Sequence, residues 1–465
     1  MLERLYKVDN HCFREDAQHI ALDVRQSRIH AVSPLEREIL TEPEGAPLGP
    51  LRARLGERFP DEEISSALER LMKRKLLLSN AAPPEKMGAL VFPAITHLQL
   101  SAAHDCNLCC RYCIVDQGSF GGLRQRMSSE VARQGVDLLI RESGEATQCT
   151  LSFSGGEPLL NWSVVRDTIT YCQEQAARHG KQVRYVIKTN GTLFDDESIA
   201  FIKEQKICIQ LSLDGPPTVH DRMRASASGH GSHDIVMAGL AKLLPACAEQ
   251  VTLRPTLTRF SPPLSQLLDY LNRFGTGNVG LARVIAQDED YDFDQAARQR
   301  LKAEYTQVAR RFLEGRLSGA AAQMIAGYTY YFRTGQPRRV GTAGGEYLVV
   351  SASGGVYPHP ELVEQAGYCL GHVATGLDRD KLAWWRSYLD VDNRAVCRDC
   401  WARYACGGGC LAAAIKLRGT TDQPIEGECD LIRHLIQLAA WVHVTMRRRH
   451  LREIQEATWR LVEGS

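Results

Sequence analysis

The chain has 465 residues, 44% of them hydrophobic, enough to bury a large core divided among two or three domains. Its 56 basic and 55 acidic residues nearly cancel, which excludes a general polyanion binder, and the Arg447–Arg448–Arg449 run reads as the solvated face of a last helix. No charged segment with an apolar core opens the chain and no apolar run suits a bilayer. The expectation is therefore a cytoplasmic protein without membrane or nucleic-acid partners, whose fifteen cysteines serve metal rather than disulfides.

Residues 1–80 are expected to form a small separate domain, with strands in LYKVDNHCFRE and HIALDVRQSRIHAV and helices from Pro34 and Pro50. A third helix opens at Pro60, with Asp61, Glu62 and Glu63 in its first turn, where negative charge is favoured. The stretch AAPPEK begins a linker over 81–94. From His97 to about Ile285, short apolar runs alternate with helical patterns, the signal of βα units around a parallel sheet. The six strands are HLQLSAA, TLSFSGG, VRYVIKTNG, CIQLSLDG, VTLRPTLT and VGLARVI, and the helices fall near 128–142, 161–179, 195–205, 232–246, 263–273 and 292–316. Six units are too few to close an eight-stranded barrel. The fold class is α/β, a partial (β/α)6 barrel over 95–320, followed by a cysteine-rich domain over 321–440 and a C-terminal helix over 441–465.

Four motifs fall at the C-terminal ends of consecutive strands, the rim on which βα barrels build active sites. Cys106, Cys110 and Cys113 follow the first strand and Gly155-Gly156-Glu157-Pro158 the second; Thr189-Asn190-Gly191 ends the third and Ser212-Leu213-Asp214-Gly215 the fourth. A C-x3-C-x2-C loop can ligate three corners of an iron–sulfur cube and leave one iron open. Cys109 lies outside that spacing and reads as a bystander. A second group, Cys397, Cys400, Cys406, Cys410 and Cys429, has the spacing C-x2-C-x5-C-x3-C-x18-C, which structural zinc can also adopt. Cys12, Cys149, Cys172, Cys208 and Cys247 are isolated and read as packing residues.

AAHDCNL followed by YC, GSFGG, SLDG then HDRMR, EYLVVS before GGVYP, and CRDCWARYACGGGC together resemble radical S-adenosylmethionine (SAM) enzymes with a SPASM domain. The resemblance is to thioether-forming peptide maturases, including the six-cysteine (SCIFF) peptide maturases and the quinohemoprotein amine dehydrogenase maturase. It implies a SAM-binding 4Fe–4S cluster on Cys106, Cys110 and Cys113. It implies SAM contacts from Tyr112, Gly155, Gly156, Glu157 and Asn190, and from Ser212 and Asp214 on the ribose side. Arg224 is the candidate to neutralise the SAM carboxylate; a surface pairing with Asp221 is the other reading. An auxiliary cluster is implied on Cys397, Cys400, Cys406 and Cys429. The chain departs from the family at Thr342 and His359, where cysteines are expected. Two readings therefore stay open for a second auxiliary cluster: an atypical one on His359, Cys369 and Cys410, or none.

The N-terminal domain resembles winged-helix domains that bind a leader peptide as an added strand, the alternatives being a plain docking module or a DNA reader. The implied function is maturation of a ribosomally synthesised peptide or small protein, with a reductase, flavodoxin or ferredoxin as electron donor. Hydrogen abstraction by a 5'-deoxyadenosyl radical would install a Cys thioether, or alternatively a carbon–carbon or carbon–oxygen crosslink. A noncatalytic leader-binding iron–sulfur scaffold is the reading from another class.

Overall fold

The computed structural model describes residues 3–78, 88, 90–276, 278–286, 289–315, 332, 338–340 and 345–448. Thr342, most of the 81–94 linker and residues 449–465 of the expected C-terminal helix lie outside them.

The N-terminal part runs β1 (Tyr6–Lys7), β2 (Asn10–Glu15), β3 (Gln18–Asp23), β4 (Arg28–Val32), α1 (Pro34–Thr41), α2 (Leu48–Gly56), α3 (Asp61–Lys73) and β5 (Leu77–Leu78). β2, β3 and β4 form an antiparallel sheet. Ser33 and Glu36 close a capping box at the start of α1, and the helices bury Ile39, Leu55, Ile64 and Leu71 in a core of their own.

The central sheet begins with β6 (His97–His104) and a short β7 (Gln125–Arg126). It continues through α4 (Ser129–Glu142), β8 (Gln148–Gly155), α5 (Trp162–Arg178), β9 (Gln182–Thr189), α6 (Asp196–Glu204) and β10 (Cys208–Leu211). Next come α7 (Pro217–Met223), α8 (His233–Cys247), β11 (Val251–Leu253), β12 (Thr256–Leu257), α9 (Leu264–Asn272), β13 (Asn278–Val279), β14 (Ala282–Arg283) and α10 (Gln295–Leu313). β6, β8, β9, β10, β11 and β13 pair in that order, all parallel. Leu98, Leu100, Leu151, Phe153, Ile187, Ile209 and Leu211 are buried along one face of them, and the polar Gln99, Ser101 and Ser152 are buried on the other. The fifth and sixth strands are each split. Pro255, without an N–H, separates β11 from β12, and Gly280 separates β13 from β14; β12 and β14 then pair with one another.

The C-terminal part contributes β15 (Tyr347–Val350), β16 (Gly355–Tyr357), β17 (Gly371–His372), β18 (Gly376–Leu377), α11 (Arg379–Leu389), α12 (Ala395–Arg398), α13 (Arg403–Cys406), α14 (Leu411–Arg418) and α15 (Glu426–Arg448). β15, inside the segment assigned to the cysteine-rich domain, pairs in parallel with β6 and covers what would be an open sheet edge. α15 is one helix through the expected boundary at 440. It buries Leu435, Leu438, Trp441 and Val442, and it supports the N-terminal sheet through Gln18 Nε2 donating to Thr445 Oγ1 at 3.0 Å. His11 stacks on Trp401 at 3.9 Å, and Arg403 pairs with Asp9. Among the described residues no helix is long and apolar enough to cross a membrane.

Candidate active site

The loop after β6 is held by its backbone. Cys109 and Arg111 N–H groups donate to Ala225 O and Met223 O at 2.7 and 2.9 Å, clamping the loop to the chain leaving α7. Arg224, between those two acceptors, brings its guanidinium 4.0 Å from the Cys110 sulfur. Cys106, Cys110 and Cys113 all line a cavity of about 340 Å³ at the strand ends. Cys109 does not; its thiol donates to Gln117 Oε1 at 3.3 Å. Backbone N–H groups of Leu108 and Gln117 point at the sulfurs of Cys106 and Cys113, at 3.5 and 3.2 Å. Burial pushes the Cys106 and Cys110 thiols up to about 12 and about 11, so a cation is needed to hold them as thiolates at neutral pH. Three thiols on one cavity wall, two with backbone N–H donors behind them and the third beside the Arg224 guanidinium, fit a cluster with one open iron.

Gly155 and Gly156 form the next part of the wall. Gly155 has φ +116°, and a Cβ there would lie 2.4 Å from Ala103 O; a Cβ on Gly156 would lie 2.1 Å from Asp105 O. The close approach lets Gly156 and Glu157 N–H groups donate to Ala103 O and Asp105 O at 2.8 and 2.9 Å, extending the β6–β8 pairing beyond the strands.

Of the residues assigned to the cofactor, Tyr112, Gly155, Gly156, Asn190, Ser212 and Arg224 line the cavity, whereas Glu157 and Asp214 lie behind its wall. The Glu157 carboxylate is fully buried and accepts from Leu159 N–H, Thr189 Oγ1 and Asn190 N–H at 3.0, 2.7 and 2.8 Å. Burial raises its carboxyl to about 7, against the pull of those donors. Asp214 accepts from Thr256 N–H at 2.9 Å, from Tyr112 and from Arg224 Nε at 3.1 Å. Burial opposes the Arg224 charge, but Asp214, Tyr112 and Cys110 outweigh it and hold the guanidinium above its ordinary range. The Asp221 pairing does not form: Asp221 instead accepts the His233 N–H at 2.8 Å.

Cys397 lies in α12, Cys400 just after it, Cys406 at the end of α13 and Cys429 in the first turn of α15. Burial raises the Cys429 thiol to about 12, with Cys406 and Cys397 close enough to add to the shift. Cys406 is raised by burial and by Cys397 and Cys400. Cys410 stands apart. Among the described residues, His359, Glu361 and Cys410 form the one His/Cys/Asp/Glu trio whose donor atoms all lie within 4.8 Å of one another. Cys369 is not with them: the pairing of β17 with β16 leaves its thiol donating to Gly371 O at 3.2 Å and packed near Tyr357. Glu361, rather than Cys369, thus stands beside His359 and Cys410 in this structure.

Lys188 was not singled out from the sequence, although a lysine inside the apolar run VRYVIKT is the signal that could have found it. It lines the cavity, donates to Gln99 Oε1 at 2.7 Å, and is lowered to about 8 by burial and by Arg254. Because the folded chain releases this proton before the unfolded chain does, stability should rise with pH between about 8 and 10.5. The expected gain is about 3 kcal/mol. Urea unfolding of wild type and Lys188→Met at pH 8 and pH 10 measures the difference; equal pH dependence would mean an ordinary solvated lysine.

With this geometry in view, residues 100–248 match the model of the radical SAM superfamily. This segment is a radical SAM domain. Over 187 residues the chain is 28% identical to an uncharacterized protein of Methanocaldococcus jannaschii, covering 39% of this chain and 60% of that one. Over 148 residues it is 31% identical to the cysteine-type anaerobic sulfatase-maturating enzyme of Clostridium novyi, covering 30% and 37%. The chain thus spans less than two thirds of the length of these curated relatives. The structure of anSMEcpe with bound AdoMet superposes with a TM-score of 0.64 at 19% identity, over 75% of this chain and 98% of that one. Streptococcus suis SuiB bound to precursor peptide SuiA gives 0.50 at 13% identity, over 90% and 100%. At these identities the likeness is one of fold alone.

Proposed function

We propose that the chain is a radical SAM maturase of a peptide or small protein. Its SAM cluster sits on Cys106, Cys110 and Cys113, and an auxiliary 4Fe–4S cluster sits on Cys397, Cys400, Cys406 and Cys429. The observation that carries this reading is the convergence of the three thiols with Tyr112, Asn190, Ser212 and Arg224 on one cavity of a radical SAM domain. When bound, the cluster and SAM supply a primary carbon radical able to take hydrogen from an unactivated carbon. The chain's residues position and shield. Arg224, fixed by Asp214, offers a cation to the SAM carboxylate; Asn190 and Ser212 offer polar contacts; Leu108, Val284 and Ile285 give the cavity apolar wall that excludes water.

SuiB, similar in fold, is seen with its precursor peptide, which supports a peptide substrate here. The edge strands β2 and β4 of the N-terminal sheet suit a leader added as a strand. The product proposed is a Cys thioether. A carbon–carbon or carbon–oxygen crosslink is the second reading, favoured by His359 and Glu361 standing with Cys410 in place of an all-cysteine site. A flavodoxin- or ferredoxin-type donor would supply the electron.

Anaerobic full-length protein given SAM and dithionite should release methionine and 5'-deoxyadenosine, and Cys110→Ala should release none. A chain that binds SAM and peptide without cleaving SAM would instead be the noncatalytic scaffold.

A further inference from the structure

Glu361 belongs to two places at once. It lines the cavity that Cys106, Cys110 and Cys113 line, and its carboxylate lies within 4.8 Å of donor atoms of His359 and Cys410. The trio is carried by anchored backbone. His359 and Glu361 flank Pro360 in the turn after β16, where Leu362 is fully buried and its N–H donates to His359 O at 3.0 Å. Cys410 is the N-cap of α14, its sulfur accepting the Ala413 N–H at 3.4 Å, and Lys416 of the same helix donates to Ile114 O in the cysteine loop. The elements bearing all three donors are therefore tied to the cavity wall.

We propose that His359, Glu361 and Cys410 bind a single divalent transition-metal ion, zinc in the first instance, whose open position faces the radical SAM cavity. One imidazole, one carboxylate and one thiolate are the nitrogen, oxygen and sulfur donors zinc accepts, and three protein ligands leave the fourth tetrahedral position for an outside ligand. A cubane cluster, which draws mainly on thiolates, finds only one here. Ion binding displaces the thiol proton of Cys410 to solvent, and any proton on Glu361 with it. His359 Nδ1 accepts the Glu361 N–H at 3.3 Å, a long contact that ligation through either ring nitrogen replaces. The open position suits a soft ligand such as a substrate thiolate; that extension rests on the maturase reading, whereas the metal site itself does not.

The test uses full-length protein with its iron–sulfur clusters reconstituted anaerobically, equilibrated with zinc ions and passed through a weak chelator before zinc and iron are counted. Wild type and Cys369→Ala should retain about one zinc per chain. His359→Ala and Cys410→Ala should lose it with iron unchanged. X-ray absorption at the zinc edge should show one sulfur neighbour, rising to two when N-acetylcysteine amide is added. Equal zinc in all four proteins, or iron rather than zinc lost from His359→Ala, overturns the metal site; a sulfur count unmoved by the thiol overturns its extension to substrate. Zinc uptake is read independently of SAM cleavage. A chain that cleaves SAM but takes no zinc therefore loses only this proposal, and one that takes zinc but leaves SAM intact loses only the maturase reading.

Discussion

Asp214→Ala is expected to destabilise the folded chain by about 3–5 kcal/mol, the usual consequence of leaving one member of a buried ion pair alone. The side chains of Asp214 and Arg224 are 1% and 10% exposed, so water cannot take over the lost contact. Among the described residues Arg224 would keep weak neighbours, the Cys110 sulfur at 4.0 Å and the Tyr112 ring at 5.2 Å. Tyr112 and Thr256 N–H would lose an acceptor as well. SAM binding should fall with stability, because Arg224 and Tyr112 both line the cavity. Urea unfolding and calorimetric SAM titration measure the two effects. A change under about 1 kcal/mol would mean that the pair behaves as an exposed one.

The second large effect is expected at Glu157. Its carboxylate is the acceptor for three donors on the β8 and β9 rim, and Glu157→Ala leaves Leu159 N–H, Asn190 N–H and the Thr189 hydroxyl without it. Each buried orphan costs about 1–3 kcal/mol, so a loss of about 3 kcal/mol or more is expected. The variant should also bind SAM less well, although Glu157 itself does not reach the cavity, because Asn190, which lines it, is placed by one of these bonds. A double-mutant cycle with Thr189→Val separates the hydroxyl bond from the rest. Full SAM affinity in Glu157→Ala would show that the loops hold their geometry without the carboxylate.

The strands, the helices that follow them and the cysteine loop were legible because each has a local signal: apolar runs at period two, amphipathic runs at 3.6, and three thiols within eight residues. What the sequence hid depends on distance along the chain. Asp221 lies three residues before Arg224 and looks like its partner, but α7 aims it at the backbone of His233, and Asp214, ten residues back, takes the guanidinium. Cys369 was grouped with His359 by nearness in sequence, whereas the turn at Pro360 offers Glu361, a residue that reads as an ordinary surface acid. β15 joins β6 across more than 240 residues, and the N-terminal sheet rests on the last helix; no local pattern announces either pairing.

Iron and sulfide counting with EPR, on anaerobically reconstituted full-length protein and on a variant with Cys106, Cys110 and Cys113 all replaced by Ala, tests the central claim most directly. About eight irons per chain should fall to about four, as one cubane on the cavity wall and one on Cys397, Cys400, Cys406 and Cys429 require. The EPR signal of the reduced wild type should change when SAM is added, and that of the variant should not. Iron that stays constant when the three cysteines are removed, or thiols filled by zinc in place of iron, would contradict the radical SAM assignment of this cavity.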